Sequence, residues 1–295
     1  MKRLGVGLIV VMVLLLSLGA VISIGIAENA MHRPRSASYG PNQSVADEIS
    51  RERHSHAREV SIHGANDTPL AAWWFLPDHP NGDAAIVLHG VADTRLGATG
   101  HAGYLLSAGY AVLLPESRGH GASGGELVTY GVLEREDVRR WVAWMRGQGV
   151  HAIYGIGISM GAAVILESIP ATGFAAVVAE SPFSCFDAIA SERVHQISPV
   201  LATAFSYAQF RYGVDLESAC PEHAIAEDKG RTPVLLIHGV DDLNIPISHT
   251  RRIAKGAPRS VSVWEVAGAG HVEALGLHYQ EYSRRVLAFF EAHGR

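Results

Sequence analysis

A chain of 295 residues that is 48% hydrophobic and 18% charged, with 31 glycines, can hold one large domain and is too apolar to be disordered. So much glycine excludes a coiled coil or helical bundle. A net charge of −5 with no basic block outside the N-terminus excludes a nucleic-acid footprint, and the 16 histidines are scattered without zinc-ligand spacing.

Lys2 and Arg3 precede an unbroken apolar run over residues 4–26, which ends at Glu28. A run this long crosses a hydrocarbon layer of about 30 Å at about 1.5 Å per residue, and it exceeds the usual apolar segment of a cleaved signal. The expectation is a single-pass signal anchor over residues 1–27 in the cell membrane, with the rest of the chain outside the cytoplasm. Cleavage after Gly25-Ile26-Ala27, giving a secreted or periplasmic protein, is the alternative. Arg33 and Arg35 nearly balance Lys2 and Arg3, so charge alone leaves the topology open. Residues 28–57 read as a linker with one short helix over 44–53, and residues 58–295 as the main domain.

Residues 59–63 and 70–75 predict two strands around the turn Gly64-Ala65-Asn66-Asp67. Strands at 84–88, 110–114, 151–156, 175–178, 234–237 and 261–266 then alternate with helices at 96–107, 131–146, 160–168, 248–255 and 275–293. In the second of these helices Val132, Val138, Trp141, Val142 and Met145 share one face. Apolar strands alternating with helices predict an α/β fold, a mostly parallel sheet covered on both faces. Residues 182–230 carry no buried-type strand and read as a small helical cap. Cys185 and Cys220 form no motif; two buried thiols and a disulfide both remain open.

Gly157-Ile158-Ser159-Met160-Gly161 fits G-x-S-x-G, a pattern that chance alone produces in about one chain of this length in ten. Its context is more specific: an apolar strand precedes it and a small-residue helix follows, as a nucleophile elbow requires. A serine needs a base to take its proton, and the base needs an acid to orient it. Asp242 follows the strand over 234–237, and His271, flanked by small residues, follows the strand over 261–266. Ser159, Asp242 and His271 are therefore the expected catalytic residues. Backbone N–H groups of Val91 and Met160 are the expected oxyanion donors in the substrate-binding set, and His89 reads as a scaffold residue.

Together with His89-Gly90, the loop 116–125 and His238-Gly239-Val240-Asp241-Asp242 through Ile245-Pro246, these motifs resemble the α/β-hydrolases of the serine aminopeptidase/monoglyceride lipase-like group. Within it, the chain is most similar to membrane-tethered bacterial hydrolases of unknown substrate, over residue 58 to the end. The resemblance implies Asp242 rather than Asp241 as the acid, with Glu180 in reserve, and a supporting role for the loop 118–123. Glu116 and Ser117 depart from the family there, standing where Asp is frequent. The implied activity is hydrolysis of a carboxylic ester or thioester on a small-molecule acyl substrate, without metal or organic cofactor and without nucleic acid. A peptidase or amidase using the same residues is the alternative, and a non-catalytic binding protein on this fold is a third reading.

Overall fold

The computed structural model describes residues 2–34, 43–193, 198–257 and 259–294. An N-terminal helix α1 (Lys2–Met31) is followed by α2 (Gln43–Glu52); of the segment read as a linker, residues 35–42 lie outside the described residues. The predicted hairpin is β1 (Ser55–His63) and β2 (Pro69–Pro77), paired antiparallel from Ser55 opposite Pro77 to His63 opposite Pro69.

Six parallel strands continue the sheet: β3 (Ala84–Leu88), β4 (Ala111–Pro115), β5 (Ile153–Ile158), β6 (Val177–Glu180), β7 (Val234–Gly239) and β8 (Val261–Val266). The order is β1-β2-β4-β3-β5-β6-β7-β8, with β1 and β2 antiparallel at one edge. This is the α/β-hydrolase arrangement. The order reverses direction between β3 and β5, where ligands settle beyond the carboxyl ends of such strands.

Strand side chains alternate between two cores. Ile86, Leu88 and Leu236 join α4 (Glu134–Arg146) and α5 (Met160–Thr172) on one face. Ala85, Val87 and Ile237 join α3 (Thr99–Ser107) and α11 (Tyr279–His293) on the other. Burial on both faces is why these strands read as continuous apolar runs. The last predicted helix is two: α10 (Ala274–Leu277) and α11, parted at His278, whose ψ of 43° breaks the helical path.

Between β6 and β7 the chain makes α6 (Phe186–Arg193), α7 (Ser198–Tyr212) and α8 (Pro221–Asp228). α7 packs on α1, whereas α8 packs on α5 and α9 (Ser248–Gly256), so α8 belongs to the sheet's covering layer. Cys185 and Cys220 form a disulfide that closes the excursion carrying α6 and α7, with a sequence separation of 35. Phe186 N–H donates to Ala219 O beside it, at 2.8 Å.

The loop after β4 is held by an ion pair. Arg118 Nε donates to Asp137 Oδ2 at 2.7 Å and its Nη2 donates to Oδ1 at 2.7 Å, with side chains 4% and 7% exposed. Losing one partner of a buried bidentate pair leaves the other charge uncompensated. Arg118→Ala should lower unfolding stability by about 3–5 kcal/mol, read from the urea midpoint.

Candidate active site

Ser159 stands between β5 and α5 at φ 53°, ψ −115°, a conformation L-residues rarely adopt. The sharp turn brings backbones together: a Cβ on Gly157 would lie 2.2 Å from Gly161 O, and one on Gly161 would lie 2.5 Å from Leu88 O. Only glycine fits at either position. Ser159 N–H donates to Glu180 O at 2.9 Å, which ties the turn to β6. The residue is 9% exposed, and its side chain lines the principal cavity.

The structure brings the three sequence-predicted residues together. Ser159 Oγ lies 2.9 Å from His271 Nε2, and His271 Nδ1 lies 2.7 Å from Asp242 Oδ2. If Nδ1 carries the proton and donates to the carboxylate, Nε2 is left free to accept from the serine. Asp242 Oδ1 accepts from the N–H groups of Asn244 at 2.8 Å and Ile245 at 2.9 Å. Burial works to raise this carboxyl, but hydrogen bonds from His238, His271 and the Ile245 N–H outweigh it and hold it well below the usual carboxylate range. Asp241 is exposed and its N–H donates to Ala269 O at 3.0 Å, lacing the loops that carry Asp242 and His271.

Val91 and Met160 line the cavity beside Ser159. A Cβ on Gly90 would lie 3.5 Å from Ser159 Cβ, so the loop after β3 closes onto the serine. His89 Nε2 accepts from Ser117 N–H at 3.0 Å, which leaves Nδ1 to donate to Gly90 O at 2.7 Å. Full burial pushes His89 down to about 3, so it stays neutral and shapes the loop. Glu116 accepts from Ala122 N–H at 2.7 Å and sits 3.3 Å from Arg95 Nε, so this departure from the family pattern serves the loop's packing. Glu180 is not on His271: its Oε1 accepts from Ala274 N–H at 3.1 Å, behind the histidine loop.

The cavity, about 290 Å³, is walled by the cap residues Phe186, Ile189 and Phe205 and by Ile245. Tyr130 stacks on Phe186 with ring centroids 4.1 Å apart. Sequence reasoning missed Tyr130, Arg193, the wall supplied by α1 at Ile26, Ala27 and Ala30, and Arg33 just beyond that helix. The available signal was Gly19, Ala20, Ser23 and Ala27, small residues that share one face of the apolar run.

Residues 34–198 match the X-Pro dipeptidyl-peptidase (S15) family. The chain is 30% identical over 225 residues to the uncharacterized protein YqkD of Bacillus subtilis (strain 168), covering 72% of each chain. In fold it is similar to the Pyrococcus furiosus esterase Pf2001, with a TM-score of 0.70 and 23% identity over 90% of this chain and 98% of that one. It is also similar to a Mycobacterium tuberculosis puromycin-hydrolyzing peptidase, with a TM-score of 0.65 and 19% identity over 81% of this chain and 39% of that one.

Burial pushes Glu180 up to about 7. Between the ordinary carboxyl value and about 7 the folded chain keeps a proton that the unfolded chain has released, so stability drains as pH rises through that window. Glu180→Gln keeps an acceptor for Ala274 N–H and removes the titration. Its melting temperature relative to wild type should rise between about pH 5 and about pH 8.

Proposed function

The chain belongs to the X-Pro dipeptidyl-peptidase (S15) family, and from that premise we propose that it hydrolyses carboxylic esters through an acyl-enzyme on Ser159. It is a serine hydrolase of the α/β-hydrolase fold. The observation that carries the proposal is the continuous hydrogen-bonded line from Ser159 through His271 to Asp242, opening into an apolar cavity.

In the proposed reaction His271 takes the hydroxyl proton as Ser159 Oγ bonds to the ester carbonyl carbon. Backbone N–H groups of Val91 and Met160 receive the oxyanion. As the ester C–O bond breaks, His271 gives its proton to the leaving alcohol. Water, deprotonated by the same histidine, then splits the acyl-enzyme to a carboxylic acid and restores the serine. Asp242, ionised throughout, orients the imidazole and stabilises its charged form.

The ester reading is favoured over dipeptide release by the cavity's charge. Two guanidinium groups, Arg33 and Arg193, line it, and among the described residues no carboxylate does. A site that grips a peptide's ammonium terminus needs the opposite sign. The resemblance to the monoglyceride lipase-like group agrees with this. We place the domain outside the cytoplasm, tethered by α1: within Val10–Met31 an 18-residue window has a mean hydropathy of 2.7. The Cys185–Cys220 disulfide suits an oxidising compartment.

Ser159→Ala should abolish fluorophosphonate labelling and cut p-nitrophenyl ester hydrolysis by about 10⁴-fold or more, while Asp242→Asn lowers kcat about 10³–10⁴-fold. Glu180→Gln should keep the labelling. Wild type should cleave p-nitrophenyl esters faster than aminoacyl or Xaa-Pro anilides; faster anilide cleavage would return the peptidase reading.

A further inference from the structure

We infer that the last two turns of α1 are a substrate-binding element, and that the site takes the chain of a single-chain acyl ester with an anionic headgroup, drawn from the bilayer. The inference rests on the ester-hydrolase reading above and names its substrate class.

The helix has two distinct stretches. Over its middle the apolar side chains face outward: Leu14, Leu15, Leu16 and Val21 are 62–66% exposed. No soluble fold leaves such a rod in water, and lipid is the medium that solvates it. From Ser23 onward the helix docks instead, burying Ser23, Ala27 and Met31 at intervals of four, against α7 among its neighbours.

The cavity begins where the lipid-facing stretch ends. Ile24 is the last of the exposed large apolar residues in α1, and Ile26, two residues on, is the first α1 residue to line the cavity. At about 1.5 Å per residue that is about 3 Å of helix. An acyl chain leaving the bilayer beside α1 therefore meets the cavity without exposing its methylenes to water.

The neighbouring surface has the character of a membrane interface. Tyr207 and Tyr212 of α7 donate to Glu28 Oε1 at 2.5 and 2.6 Å, and Phe210 between them is 91% exposed. Aromatic rings of this kind gather at the headgroup level.

Charge then selects the headgroup. Arg33 is half-buried at the cavity wall: its Nη2 donates to Tyr130 Oη at 3.3 Å, while its Nε is buried without a partner among the described residues. Arg193 lines the same cavity from the cap. Two guanidiniums, with no opposing carboxylate among the described lining residues, suit a phosphate or carboxylate on the substrate.

The test uses full-length protein in phosphatidylcholine nanodiscs. Palmitoyl lysophosphatidylglycerol, palmitoyl lysophosphatidylcholine and monopalmitoylglycerol are compared, with soluble p-nitrophenyl acetate as the reference substrate. The anionic lysolipid should be cleaved with a kcat/KM about tenfold or more above the other two lipids. Ala30→Phe, which fills the α1 wall, should lower the ratio of lysolipid to acetate turnover about tenfold. Arg33→Gln should lower the ratio of anionic lysolipid to monopalmitoylglycerol. Acetate cleavage that needs Ser159, combined with equal rates on the three lipids or an unchanged lysolipid-to-acetate ratio in Ala30→Phe, overturns the inference alone. Acetate cleavage no different in Ser159→Ala overturns the ester reading itself.

Discussion

The close approach of three backbones at the end of β5 is the constraint on which the site depends. Gly157 and Gly161 let the start of α5 turn back against the strand and against the loop after β3, with Leu88 O within 2.5 Å of where a Cβ would stand on Gly161. That contact forces Ser159 into a positive φ and sets its hydroxyl at the sheet's carboxyl edge. It also presses the loop carrying Gly90 and Val91 onto the serine. Strain of this kind persists only where the surroundings over-determine it. Here they do: both faces of β5 are packed, and Ser159 N–H is bound to β6.

A second requirement is a buried carboxylate that stays charged. Asp242 is 5% exposed, and burial works to raise its carboxyl. The turn after β7 prevents this by aiming the Asn244 and Ile245 N–H groups at Oδ1, leaving Oδ2 to face His271. His238, whose Nε2 is 2.8 Å from Ile245 O and whose Nδ1 is 2.7 Å from Thr250 Oγ1, braces the same turn from below. Glu180, one strand over, has no comparable set of donors, and burial carries it up to about 7. Two neighbouring acids are thus shifted in opposite directions, Glu180 upward by burial and Asp242 downward by the donors aimed at it.

How far the sequence was legible follows from where each signal comes from. β3 and the first four residues of β7 are buried on both faces, so they read as unbroken apolar runs. Ser159, Asp242 and His271 each follow a strand, and local turn residues mark them. The α1 wall has no such contrast: Ser23, Ala27 and Met31 form a docking stripe, but they lie in or beside a run that is apolar all round, so the stripe shows only in residue size and not in polarity. α8 was missed because it is short, begins at Pro221 and carries only Pro221, Ile225 and Asp228 inward. The break at His278 depends on packing, and no helix-stopping residue announces it.

These features combine in the cap. α6 and α7 leave the sheet after β6 and return at β7, and an excursion with free ends would fluctuate over the serine. Three ties limit it: the Cys185–Cys220 disulfide at its base, the Phe186–Ala219 hydrogen bond beside it, and α1 lying along α7. The first two fix where the cap starts and ends, and within it Phe186 of α6 packs on Phe205 of α7. α1 braces that far helix from outside the cap, with Glu28 accepting from Tyr207 and Tyr212. The segment that reads as a tether thus also packs along the cap's far helix and walls the cavity, so the apolar run and the cavity's shape are joined in a single helix.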